Sequence, residues 1–143
     1  MSNIISWEIH LCANGEACDI CGEIEHGFMP YICNAHTHGM NKFNHKDFQV
    51  VIDLPQKEIG RTLNTLGCMV RDGRRFHAGE YVKGIYLDCD VRLEEFEETD
   101  RTVLRVVIPD KNNRFPESDS CAYPYSAQKM QTRYLYSNGG VMS

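Results

Sequence analysis

The sequence predicts an α+β fold: a mainly antiparallel sheet with one long amphipathic helix, at about 55–71, packed on it, and a second helix near the C-terminus. Three observations carry that expectation. Ile59, Leu63, Leu66 and Val70 fall at i, i+4, i+7 and i+11, one apolar stripe at helical spacing. Phe48-Gln-Val-Val-Ile-Asp-Leu54 has the length and β-branched content of a buried strand. Ile85, Leu87, Cys89, Val91 and Leu93 alternate with Tyr86, Asp88, Asp90 and Arg92, the period-two pattern of a strand with one wet face.

Composition narrows the function classes. A length of 143 residues suits one domain, 1–143. The chain is 42% hydrophobic and 24% charged, enough apolar content to bury a core. The formal net charge is −5, and the basic residues are scattered apart from Arg71, Arg74 and Arg75. Non-specific nucleic-acid binding depends on a concentrated basic face, so that class is not expected. A small anionic ligand needs only a few donors and stays open. Met1 to His10 has neither the charged start nor the apolar run of a signal peptide, and no apolar stretch approaches membrane-spanning length. The expectation is a cytoplasmic protein with no membrane partner and with reduced thiols. Seven cysteines is an odd count, which rules out full internal disulfide pairing.

In chain order, Ile4, Ile5, Trp7, Ile9 and Leu11 suit a short strand or a helical turn, and periodicity leaves both open. The Cys-rich segment 12–26 follows, with Cys12, Cys18 and Cys21. Cys18-x-x-Cys21-Gly22 has the spacing of a zinc knuckle, which places two thiolates on one tight turn. A structural zinc site needs four ligands, so Cys12, His26, Cys33, His36 or His38 would have to complete it. The plainer alternative is that these thiols are small core residues or inert surface cysteines.

Residues 29–37 read as a strand that stops at Gly39. Extended geometry puts His36 and His38 on one face, roughly 6.5 to 7 Å apart along the chain, with Thr37 on the other. Two imidazoles so placed can close on one metal ion or flank an anion. They can equally be ordinary satisfied histidines. Residues 48–54 form the next strand, Pro55 opens the long helix, and Asp72-Gly73 ends it. A strand over 84–96 should turn at Glu97–Arg101 and pair with 103–108. Its parity makes Cys89 buried and inert, whereas Cys18 and Cys21 should be accessible or metal-bound. Pro109 to Ser120 is a long polar loop, Tyr125 to Tyr136 suits a helix entered through Pro124, and 137–143 should fray.

The order of motifs resembles a bacterial domain-of-unknown-function family, four-two-six-two. The likeness runs from residue 18 to 108. It rests on the Cys18 to Cys21 segment, His26-Gly27-Phe28, Thr37-x-Gly39-Met40, the helix ending near Asp72-Gly73, and Phe76-x-x-Gly79. The resemblance implies an α+β arrangement with helices against an antiparallel sheet, and it implies no activity. His36 and His38 are not features of that family as a whole.

Two functions follow from the residues, and neither requires catalysis. One is a small zinc-binding domain whose ligands are drawn from Cys18, Cys21, Cys33, His36 and His38, with Asp47 or Glu25 as orienting carboxylates. The other is a binding module that captures a small anionic or nucleotide-like ligand. Its donors would be His36, His38, Arg74, Arg75 and His77, with Tyr31 or Phe76 for stacking. The bland reading of Arg74 and Arg75 is that cations favour a helix C-terminus. Either site is expected near the end of the 31–38 strand, reached by the Arg74 to His77 segment. A cupin-type histidine-metal enzyme lacks its glutamate here, and no nucleophile elbow or Gly-rich phosphate loop is present.

Overall fold

The structure, a computed structural model, describes residues 7–12, 31–98 and 101–131, with the backbone alone for residues 10–12. It contains β1 (Glu8–Cys12), β2 (Ile32–His38), β3 (Asp47–Ile52), helix α1 (Gln56–Arg71), β4 (Tyr81–Val82), β5 (Val91–Glu97) and β6 (Thr102–Val107). The strands form one six-stranded sheet in the order β1-β2-β3-β6-β5-β4. The arrangement is α+β, but the sheet is mixed. β3 and β6 run parallel while every other neighbouring pair is antiparallel. The parallel pair arises because α1 and the β4–β5 unit intervene between β3 and β6, a connection long enough to bring the chain back in the same direction. Among the described residues no helix is long and apolar enough to cross a membrane.

The predicted stripe is the core face of α1. Ile59, Leu63, Leu66 and Val70 are buried against Cys33, Ala35, Phe48, Val50, Leu93, Leu104 and Val106, the odd or even set of each strand that faces the helix. The helix stops where Asp72-Gly73 allows. Gly73 takes φ 110°, its N–H bonds Val70 O at 2.9 Å and the Arg74 N–H bonds Met69 O at 2.8 Å, a Schellman cap.

Gly67 marks a close approach. A Cβ there would lie 2.4 Å from Cζ2 of Trp7, whose Nε1 donates to Asn64 Oδ1 at 2.9 Å. Gly67→Ala should therefore push out the indole and cost about 1–3 kcal/mol in overpacking, against about 1 kcal/mol regained in helix propensity. Trp7 is the chain's single tryptophan, so a red shift of its fluorescence reads the displacement directly.

Two expected elements differ from what the chain does. Residues 84–90 are not the first half of a strand. Only Tyr81 and Val82 pair with Arg92 and Val91, and Gly84 at φ 94° then leads into a loop closed by a Lys83–Asp90 ion pair of 3.2 Å. Arg61 donates to Ile85 O at 2.7 Å and its guanidinium sits 5.3 Å from the Tyr86 ring, so the loop is pinned to α1 by Ile85 and Tyr86. Leu87 is fully exposed and Cys89 only partly buried, contrary to the parity argument. Burial, with Asp88 and Asp90 beside it, still raises the Cys89 thiol above its ordinary pKa.

Over the described part of the expected C-terminal helix, residues 125–131, the chain instead forms a 3-10 turn, Tyr125–Lys129, after which Met130 is extended. The reason is a competition for carbonyls. Arg105 takes Gln128 O at 2.7 Å and Met130 O at 2.5 Å, acceptors that a continuing helix would need. The Gln128 side chain also pairs with Ile108, accepting from its N–H at 2.8 Å and donating to its carbonyl at 2.5 Å. Residues 132–143, including the expected frayed tail, lie outside the described residues.

The polar stretch after Ile108 is tethered. Asp110 accepts from the N–H groups of Asn112 (2.9 Å), Arg114 (2.9 Å) and Ala122 (3.0 Å) and from Arg114 Nε (3.1 Å). Burial works to raise its pKa, but these donors outweigh it and hold the carboxyl at about 2.

Candidate functional site

Strand alternation in β2 sends Cys33 and Ala35 to the α1 side and Asn34, His36 and His38 to the other. The two imidazoles meet there, ring centroids 4.7 Å apart and nearly perpendicular. His36 is 3% exposed. The antiparallel register of β1 sets His10 opposite His36 and Glu8 opposite His38.

The strand end is held from the helix side. Thr37 Oγ1 donates to Asp47 Oδ1 at 2.8 Å and accepts from the Phe48 N–H at 3.0 Å. Asp47 also accepts from the Met40 N–H at 3.0 Å and pairs with Arg101, which in turn donates to Thr37 O at 3.0 Å. Gly39 then turns the chain with φ 121°. Asp47 is thus committed to closing β2 against β3, and its role here is to anchor the segment that carries His38.

A buried polar row extends sideways from His36 across three strands. His36 Nδ1 lies 3.2 Å from Asn34 Oδ1, which accepts from Gln49 Nε2 at 3.0 Å. Gln49 Oε1 accepts from Arg105 Nε at 2.7 Å. Gln49 and Arg105 are fully buried, and the Arg105 guanidinium lies 3.6 Å from the Phe96 ring centroid. Loss of solvent draws the Arg105 pKa down to about 10, with Glu98 opposing the fall, so it remains a cation at neutral pH.

The other expected site residues go elsewhere. Cys33 is in the core beneath α1, its thiol 3.5 Å from Ile52 O, and burial, with Asp53 adding, pushes its pKa up to about 12. The sheet lies between this thiol and the His36 and His38 rings, so it is not brought to the same side as they are. Phe76 packs on Phe48 and His45, so the Arg74 to His77 segment sits on the α1 side, across the sheet from the two imidazoles. Arg74 contacts Glu80 at 3.3 Å and covers the Phe76 ring, Arg75 donates to Val70 O and Arg74 O, and His77 is 3.9 Å from Glu80. These bonds close the helix end. Tyr31 is at the far end of β2 from His38, beside a hollow of about 490 Å³ shared with Asp53, Tyr123 and Tyr125. Cys18, Cys21, Glu25 and His26 lie outside the described residues.

Sequence reading assigned no role to His45, which joins the loop before β3 to the segment after α1. Its Nδ1–H donates to Lys46 O at 2.8 Å and its Nε2 accepts from the Phe76 N–H at 3.1 Å. Both bonds suit the neutral ring. Burial lowers its pKa from the ordinary 6.5, the Lys46 carbonyl opposes that, and Arg75, Lys46 and His77 add to the lowering. A folded pKa below the unfolded one means stability that is complete above pH 6.5 and lost as pH falls through the folded value. His45→Gln should flatten that acid limb in melts taken at several pH values. An equal slope in both proteins would show that His45 makes no such contribution.

A second concavity, of about 710 Å³, opens between the 83–90 loop and the Asp110-tethered loop, lined by Tyr81, Tyr86, Leu87, Asp88, Asn113 and Phe115. No local pattern announces it, because its two walls are far apart in sequence. Among the described residues no three histidine, cysteine or acidic side chains converge as a metal shell. No family model, no curated protein and no solved structure matches the chain.

Proposed function

We propose that the protein is a zinc-binding domain in which His36 and His38 share one ion and Cys18 and Cys21 supply the remaining ligands. The observation that carries this reading is the pairing of the two imidazoles on one sheet face, rings 4.7 Å apart, on the strand bonded to β1. Cys18 and Cys21 belong to the connection between β1 and β2, so all four ligands come from one β-hairpin unit. Four residues of strand, about 13 Å, separate Ile32, where β2 begins, from His36. A shell of two thiolates and two imidazoles is closed, so the ion tethers the connection to the sheet and does no chemistry. Reduced thiols, which such a site needs, fit a cytoplasmic setting.

The anion-capturing module draws less support. Its arginines and His77 lie across the sheet from His36 and His38, and Arg74 and Arg75 are engaged at the helix end.

Elemental analysis of protein purified without chelator tests the zinc reading. About one zinc per chain is expected, with loss in both His36→Ala and Cys18→Ser. A folded protein that holds no zinc after expression in zinc-supplemented medium would contradict it.

A further inference from the structure

We infer that Asn34, Gln49 and Arg105 are positioning residues that fix the His36 proton on Nδ1 and so present Nε2 as its ligating atom. The ligand identity rests on the zinc reading above. The proton placement rests on hydrogen-bond direction alone.

The direction is set at the far end of the row. An arginine side chain has five donors and no acceptor, so it can be read in only one way. The Gln49 atom 2.7 Å from Arg105 Nε must therefore be the carbonyl oxygen. That turns the Gln49 amide nitrogen toward Asn34, at 3.0 Å, and a donor there requires Asn34 to present its own oxygen. The same oxygen lies 3.2 Å from His36 Nδ1. A carbonyl oxygen cannot donate, so the ring nitrogen does. His36 is left with Nε2 as the one ring atom able to offer a lone pair.

Burial makes the arrangement stiff. Gln49 and Arg105 are fully buried and Asn34 is 5% exposed, so water cannot easily replace a reversed amide's lost partner. A flipped Gln49 would set an NH2 against a guanidinium, and a flipped Asn34 would set two NH2 groups face to face. Metal-bound histidines ordinarily donate their second ring nitrogen to an acceptor of this kind, which fixes both tautomer and ring orientation. Here the acceptor is an amide whose own direction is dictated two residues further along by a cation.

Two isosteric substitutions separate this role from ordinary packing. In Asn34→Asp the carboxylate still accepts from both neighbours, so the proton stays on Nδ1. In Gln49→Glu the carboxylate accepts from Arg105 on one side and demands a donor from Asn34 on the other. Asn34 then turns its NH2 toward both Glu and His36, Nδ1 becomes an acceptor, and the proton moves to Nε2. Zinc affinity should fall about 10- to 100-fold in Gln49→Glu, the usual range for an outer-shell partner, and stay near wild type in Asn34→Asp.

The tautomer is read by two-bond proton–nitrogen correlation of 15N-histidine in chelator-stripped protein at mildly alkaline pH. Expected is an Nδ1-protonated His36 in the wild type and in Asn34→Asp, and an Nε2-protonated ring in Gln49→Glu. A wild-type ring protonated on Nε2, or a folded Gln49→Glu protein that keeps its proton on Nδ1, overturns the inference. Should Gln49→Glu fail to fold, the wild-type spectrum decides by itself. Zinc uptake is measured separately, so a fixed Nδ1 proton in a protein that takes up no zinc would defeat the zinc reading and leave the hydrogen-bond row intact.

Discussion

Leu63→Ala is expected to lower the free energy of unfolding by about 2–5 kcal/mol. Leu63 is fully buried at the middle of the α1 stripe, in one cluster with Phe48, Val50, Leu66 and Val106. Truncation removes buried methyl groups and leaves a cavity that the sheet beneath cannot close, because β3 and β6 are hydrogen-bonded to each other and to flanking strands. Against a total stability of about 5–15 kcal/mol, a loss at the upper end would leave a partly unfolded population. Equilibrium denaturant melts measure it. A loss under about 0.5 kcal/mol, typical of surface positions, would place the stripe on the wrong side of the helix.

Arg105→Met should cost about 3 kcal/mol, for a different reason. Gln49 Oε1, Gln128 O and Met130 O each lose a donor. An orphaned buried acceptor costs about 1–3 kcal/mol. Part of that is offset because a buried cation no longer has to be desolvated, the same effect that draws its pKa down to about 10. Arg105→Lys should fare little better, since one ammonium cannot serve acceptors arranged around a planar fork. The substitution should also release the segment after Ile108, which Arg105 and Gln128 hold against the sheet, and faster proteolysis near Met130 would report it. Unchanged melts and unchanged proteolysis in Arg105→Met would show that these bonds carry no net stability.

The legible parts of the chain are those whose partners lie nearby. The helix was readable because Ile59, Leu63, Leu66 and Val70 all report one face, and Asp72-Gly73 supplies the cap chemistry. β2, β3 and β6 fall within a few residues of their expected bounds. The parity of His36 and His38 was legible too, and the same alternation, applied to Cys33, would have removed it from the ligand set. Other features depend on distant partners. The apolar alternation over 85–93 looks like a strand, yet Gly84 and the Arg61 contact make its first half a loop on α1. Gln49 and Arg105 sit on the sheet face away from α1, and among the described residues it is the return of the chain at Gln128 to Met130 that covers Arg105. The parallel pairing of β3 with β6 follows from where the crossover lands, which no local pattern encodes.

The most direct measurement of the zinc centre is the K-edge X-ray absorption spectrum of the zinc-loaded protein. Expected are imidazole nitrogens at about 2.0–2.1 Å and thiolate sulfurs at about 2.3 Å. The nitrogen shell should shrink in His38→Ala and the sulfur shell in Cys21→Ser. A zinc ion bound with no imidazole in its shell would contradict the assignment of His36 and His38 as its ligands.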